Sequence, residues 1–284
     1  MSRIAILTDS GCDVYAADRE KYNIHVLPLK ITYSDGTYTD NVDIAPRDIY
    51  DRFPAQIPKT STPNMQEVLD EVDRIRQEGY DQIIAICISS GLSGTYNTVC
   101  SALNQVEDME CYAFDTLNIS IGAGIFASYA AQLAEQGKTF SQIVKALEFN
   151  RDNAKIFYYM DTLDYLVAGG RIGRVTGAVG SVLKLKPIIS CNEEGVYYTV
   201  SILRNKAKGL QKLVEHIVRF TDGRDCHLAL MHGDAEAELP KVEELVRAAL
   251  PNGDIFMREQ IAASLAVHTG PGLVGILSFC PQEI

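Results

Sequence analysis

The sequence predicts an α/β fold in two domains, a mostly parallel sheet flanked by helices followed by a mixed α/β unit. Three observations carry this. Short apolar runs alternate with helical patterns through the first half, the rhythm changes near residues 150–154, and the second half adds a strand of alternating, antiparallel type.

Each element follows from its residues. Apolar runs at 4–7, 25–33, 83–88 and 111–114 read as strands, the third being too short and continuous for a surface helix. Helical patterns occupy 46–52, 64–77, 95–106 and 119–136, then 139–150 with Phe140, Ile143, Val144 and Leu147 as an apolar face. The boundary at 150–154 gives domains 1–152 and 153–284. Beyond it come a strand at 156–160, a helix, the run Ala168-Gly169-Gly170-Arg171-Ile172-Gly173, and a second helical piece leading to a strand at 186–190. A turn at 192–195 then leads to an alternating strand at 197–203. A helix at 206–220, a strand at 227–231, a helix at 235–249 and strands at 254–258 and 272–279 complete the chain.

Composition narrows the function. Of 284 residues, 46% are hydrophobic and 22% charged, as in an ordinary globular chain. The net charge of −11 argues against non-specific nucleic-acid binding, although Arg204, Lys206, Lys208 and Lys212 form a local basic patch. Met1-Ser2-Arg3-Ile4 enters a strand without a signal-peptide core, and no apolar run reaches the roughly 18 residues a membrane span needs. The seven cysteines are scattered, with no Cys-x-x-Cys, which points to a reducing compartment and a cytoplasmic location. His227 and His232 fall on opposite faces of one strand, His25 on another strand and His216 on a helix, so neither a metal site nor a cofactor is expected.

In parallel sheets, ligands bind beyond the carboxyl ends of the strands. Here those ends carry Thr8-Asp9-Ser10-Gly11, the turn from Ser89 through Thr95, and Asp115-Thr116, so three polar exits are expected along one edge. Ser93 suits an N-cap, but a cap does not account for Ser89, Ser90, Ser93 and Thr95 together; a helix start rich in hydroxyls suits an anion. Lys59-Thr60-Ser61-Thr62-Pro63-Asn64 is similarly dense ahead of a helix, where such residues also serve as caps. Gly169-Gly170 marks a helix end that would hold Arg171 on a constrained backbone, and His268 opens the loop Thr269-Gly270-Pro271-Gly272. The alternative reading is a serine esterase or acyltransferase using Ser93, but Gly91-Leu92-Ser93-Gly94-Thr95 places Thr95 where a nucleophile elbow needs glycine. A third reading is a regulatory module for another small anion. Gly122-Ala123-Gly124, inside a helix, would let a neighbouring helix or a slender apolar ligand approach closely.

Taken in order, these residues resemble a known family. Thr8-Asp9-Ser10 with Asp13, Thr60-Ser61-x-Pro63, Ile88-Ser89-Ser90-x-Leu92-Ser93-Gly94-Thr95-Tyr96, Gly169-Gly170-Arg171-Ile172, Lys186-Pro187-Ile188, Arg204 and His268-x-Gly270-Pro271-Gly272 follow the pattern of DegV proteins. The resemblance implies a fatty-acid-binding subunit of bacterial fatty-acid kinase, a carrier and not the catalyst. One long-chain fatty acid would lie in a tunnel between the domains. Its carboxylate would be held by Thr60, Ser61, Ser93 and Gly94, with Arg171 and His268 nearby. Arg204 would belong to the face that docks on a separate ATP-dependent kinase, which makes an acyl phosphate for phospholipid synthesis; an acyltransferase is a further implied partner. Thr62 stands where the family usually has Gln, so a contact from that Gln is not carried over.

Overall fold

The computed structural model describes residues 3–175 and 185–283. Its first sheet holds β1 (Ile4–Asp9), β2 (His25–Leu27), β6 (Gln82–Cys87) and β7 (Glu110–Asp115), all parallel, in the order β2-β1-β6-β7. Alternate residues of its strands serve opposite faces, as the two-residue period of a strand requires. Ala5, Leu7, Ile83, Ala85 and Cys87 meet helices α3 (Met65–Gln77) and α4 (Thr95–Leu103). Ile6, Ile84 and Ile86 meet α5 (Ile121–Glu135) and α6 (Phe140–Asn150).

The second sheet takes β8 (Ala154–Tyr159), β9 (Lys186–Cys191), β10 (Tyr197–Leu203), β11 (His227–Gly233), β12 (Asp254–Gln260) and β13 (Leu273–Phe279) in the order β10-β9-β8-β13-β11-β12. Only β11 and β12 run parallel, so the sheet is mixed. Phe157, Tyr159, Leu228, Leu230 and Ile276 face α8 (Lys206–Thr221) and α9 (Leu239–Ala249). Ile156, Tyr158, Met231 and Leu277 point the other way, into the core shared with α5. α5 is therefore packed between two sheets, and its first eight residues are all buried. Gly122 and Gly124 make this fit. A Cβ on Gly124 would overlap the Cys12 carbonyl oxygen, and one on Gly122 would meet Asn118 and Ile156. The close neighbours are thus a backbone turn and a strand of the second sheet, where the sequence suggested a helix or a ligand.

The expected strand 25–33 is divided. Its first part is β2, but β3 (Lys30–Tyr33) joins β4 (Gly36–Thr39) and β5 (Lys59–Ser61) in a separate antiparallel sheet. Pro28 has no amide to continue the first ladder, and the Leu29 N–H turns to Ser10 Oγ at 3.0 Å. This small sheet packs Ile31 and Tyr33, with Ile49 and Tyr50 of α2 (Pro46–Arg52), on Ala263, Ala266 and Val267 of α10 (Ala263–Thr269). A short helix absent from the sequence reading, α1 (Ala16–Tyr22), follows the first strand, and α7 (Asp164–Ala168) precedes the paired glycines. The helical piece expected ahead of Lys186 falls largely on 176–184, outside the described residues. Among the described residues no helix is long and apolar enough to cross a membrane.

Candidate functional site

The chain leaves β1 toward β2 on one side, and β6 toward β7 on the other, so a crevice opens between the carboxyl ends of β1 and β6. The polar exits meet there. Asp9 Oδ2 accepts from the Ile88 amide at 3.0 Å, Thr116 Oγ1 donates to the Cys87 carbonyl at 2.8 Å, and the Ser90 amide donates to Asp115 at 3.1 Å. A cavity of about 60 Å³ sits at this edge. Thr60, Ser61, Thr62, Ser93, Arg171, Ser264 and His268 form its polar wall; Leu29, Ile88, Leu92, Ile119, Tyr197 and Leu265 supply its apolar one. Among the described residues no carboxylate lines it. A larger open groove of about 830 Å³ begins at Ile4, Gln82 and Glu110, the amino ends of the same strands, and its lining includes the carboxylates Glu110 and Glu135.

The structure thus brings five predicted residues together from four distant parts of the chain. Thr60 and Ser61 lie on β5, not at a helix cap; the cap of α3 is Asn64, whose side chain accepts from the Glu67 amide. Ser93 stands one residue before the N-cap of α4, which is Gly94. Its Oγ still reaches the helix end, accepting from the Thr95 amide at 3.3 Å and sharing a hydrogen bond with Thr95 Oγ1 at 2.8 Å. Gly94 itself is exposed and outside the cavity lining.

The other serines of the turn do different work. Ser89 is buried and donates to the Gly195 carbonyl at 2.8 Å, joining the turn to the β9–β10 hairpin, while Ser90 is exposed.

Arg171 is the cavity's cation. Its guanidinium donates to the Gly169 carbonyl at 3.1 Å and reaches the Leu92 carbonyl at 3.5 Å, and it makes no ion pair among the described residues. His268 belongs to the last turn of α10, not to the loop beyond it. Its Nε2 shares a hydrogen bond with Thr60 Oγ1 at 2.9 Å, while Nδ1 is enclosed against Gly169 and has no hydrogen-bond partner among the described residues. Burial, aided by the Arg171 charge, pushes the His268 pKa down to about 3, so the ring is neutral at neutral pH. The triad geometry of an esterase is not assembled: Ser93 is paired with Thr95, His268 with Thr60, and no acid orients the imidazole.

Arg204 lies elsewhere, exposed at the bend between β10 and α8. Nearby Lys206 pairs with Glu238 at 2.9 Å and Lys212 with Glu215 at 2.7 Å. No group of His, Cys, Asp and Glu able to hold a metal occurs among the described residues. Sequence reading missed the apolar wall and Asp40, a buried acid behind it, because a single Asp in the polar run Thr37-Tyr38-Thr39-Asp40-Asn41 carries no signal.

With this geometry in place, comparison with known proteins is decisive. The DegV family profile matches residues 3–280. The chain belongs to the DegV family. A DegV domain-containing protein of Clostridium acetobutylicum is 41% identical over 279 residues, covering 98% of this chain and 99% of that protein. Among solved structures, DegV of Bacillus subtilis, described as a fatty acid binding protein, superposes with a TM-score of 0.88 at 27% identity, over 99% of this chain and 100% of that one. A stearic acid-binding protein from Eubacterium ventriosum gives 0.88 at 25% identity, over 99% and 98%. The two-domain α/β architecture is that of DegV structures, and those relatives bind fatty acids.

Proposed function

We propose that this DegV protein binds one long-chain fatty acid, its carboxylate among Thr60, Ser61, Ser93, Arg171 and His268 and the Gly94 turn, its tail directed between the lobes 1–152 and 153–284. One observation carries this reading: a guanidinium without an ion pair and five serine and threonine side chains line a cavity that has an apolar wall and, among the described residues, no carboxylate. An acid group taken from water loses several kcal/mol of hydration and needs such convergent donors. The tail contributes about 0.8 kcal/mol per buried CH₂.

A cavity of about 60 Å³ is smaller than the roughly 150 Å³ that accommodates benzene. The tail therefore enters by parting the apolar wall of Leu29, Ile88, Ile119 and Leu265.

In this reading the protein is a cytoplasmic, non-catalytic carrier without a cofactor. It presents the carboxylate to a separate ATP-dependent kinase that docks near Arg204, and the resulting acyl phosphate passes to an acyltransferase of phospholipid synthesis. Neutral hydroxyls with a single cation suit a head group that changes from carboxylate to acyl phosphate and later leaves.

Extraction and mass spectrometry of gently purified protein should yield a long-chain acid. Arg171→Ala should weaken binding of that acid about 10- to 100-fold, one charge-assisted contact, and lower the unfolding midpoint modestly through loss of its hydrogen bonds to the Gly169 and Leu92 carbonyls. Protein that is free of lipid after growth on fatty acid, and that binds none when titrated, would rule the reading out.

A further inference from the structure

Behind the apolar wall, one buried acid connects its two sides. Asp40 is 2% exposed and makes no ion pair among the described residues. Its carboxylate is nevertheless well used: it accepts from Ser10 Oγ at 2.6 Å, Ser264 Oγ at 2.5 Å and the Ser264 amide at 2.9 Å. Two of these donors belong to Ser264 at the start of α10, which itself lines the cavity together with Leu265 and His268. The third leads to the opposite side. Ser10 Oγ accepts the Leu29 amide at 3.0 Å, and the Asp40 amide donates to the Leu29 carbonyl at 3.0 Å, so both backbone groups of this cavity residue are tied to Asp40 or its partner. The neighbouring amides of α10 are held from the same half of the chain, Ala262 by Asp13 at 2.9 Å and Ala263 by Asn41 at 3.4 Å.

We infer that Asp40 is a positioning residue of the ligand site, fixing the distance between the Leu29 and α10 walls across the two halves of the molecule. The argument is geometric. Side-chain packing alone leaves two apolar walls free to slide, whereas a carboxylate receiving three directed donors sets one separation. Among the described residues, no other side chain hydrogen-bonds both Ser10, which holds the Leu29 amide, and α10. Asp40 touches no ligand in this scheme; it acts through Ser264 and Ser10.

The inference rests on the fatty-acid reading only for its effect on binding, so two measurements are needed. The first uses ligand-free protein. Amide hydrogen exchange in residues 262–269 should rise about tenfold in Asp40→Asn and in Ser264→Ala, the loss of a hydrogen bond to a charged group, while α8 and α9 stay unchanged. Ser264→Thr, which keeps the hydroxyl, should restore protection. No change in α10, or an equal rise in α8 and α9, would overturn the inference, and Ser264→Ala decides it if Asp40→Asn does not fold. The second follows release of cis-parinaric acid, which both loosening variants should accelerate about tenfold. Looser α10 amides with unaltered release would also overturn it. Failure of the unmodified protein to take up cis-parinaric acid would count against the fatty-acid reading, and exchange alone would then decide whether Asp40 seats α10.

Discussion

At the scale of single residues, the site depends on a side chain that is missing. A Cβ on Gly169 would overlap His268 Nδ1, so the glycine pair is a packing surface for the imidazole as well as a helix end. Gly169 lies in a right-handed conformation (φ −80°, ψ −6°) that any residue adopts, so the requirement is for space and not for backbone freedom. Gly169→Ala should push the ring off Thr60 Oγ1, breaking the 2.9 Å contact that joins β5 to α10. Overpacking of this kind costs about 1–3 kcal/mol. A lower urea midpoint together with at least tenfold weaker fatty-acid binding is expected; Gly170→Ala, where no atom lies within 4 Å but φ is +68°, should lower the midpoint and spare affinity. Equal affinity losses in the two variants would refute this account of Gly169.

Among the elements, α5 shows what a sequence can and cannot convey. Its glycines look unfavourable in a helix, and only the tertiary structure explains them: the helix is enclosed between two sheets, and Gly124 is where the turn after β1 crosses it. Gly124→Ala gains about 1 kcal/mol of helix propensity, yet its methyl would collide with the Cys12 carbonyl, a rigid backbone atom. Net destabilisation of about 1–3 kcal/mol is expected from denaturant unfolding; a stabilised variant would mean that the turn yields easily. The long periodic elements and the hydroxyl-rich exits were legible because period and capping chemistry are local properties. β4 and β5, of four and three residues, were not, since strands that short carry too little pattern. The break after β2 was marked by Pro28, but its cause, capture of the Leu29 amide by Ser10, is tertiary. The polar half of the site could be read from motifs for the same reason, whereas Leu265, Tyr197 and Asp40 acquire their places only when the two halves pack.

For the whole molecule, buried ionisable groups on both sides of the crevice make stability depend on pH in opposing ways. Burial pushes Asp9 up to about 7, and burial also raises Asp13 and Asp40 above the ordinary carboxylate range. Between its unfolded value of 3.8 and about 7, folded Asp9 keeps a proton that the unfolded chain has lost, so its contribution is fully present below 3.8 and disappears as pH rises through 7. His268 has the reverse sign. With a folded value near 3 and an unfolded value of 6.5, its contribution is full above 6.5 and declines as pH falls toward 3. Glu243, held down to about 2 first by its hydrogen bond to Arg258, changes stability only below its unfolded 4.5. From pH 7.5 to 5.5 each group contributes at most about 1.4 kcal/mol per pH unit within its own window. Asp9 titrates over more of that range than His268, but His216 and His232, lowered by burial, act with His268. The signs are therefore read from variants: relative to the unmodified protein, Asp9→Asn should lose stability and His268→Gln should gain it as pH falls from 7.5 to 5.5. An identical pH dependence of the urea midpoint in Asp9→Asn and the unmodified protein would show that Asp9 remains ionised within the fold, contrary to the burial argument.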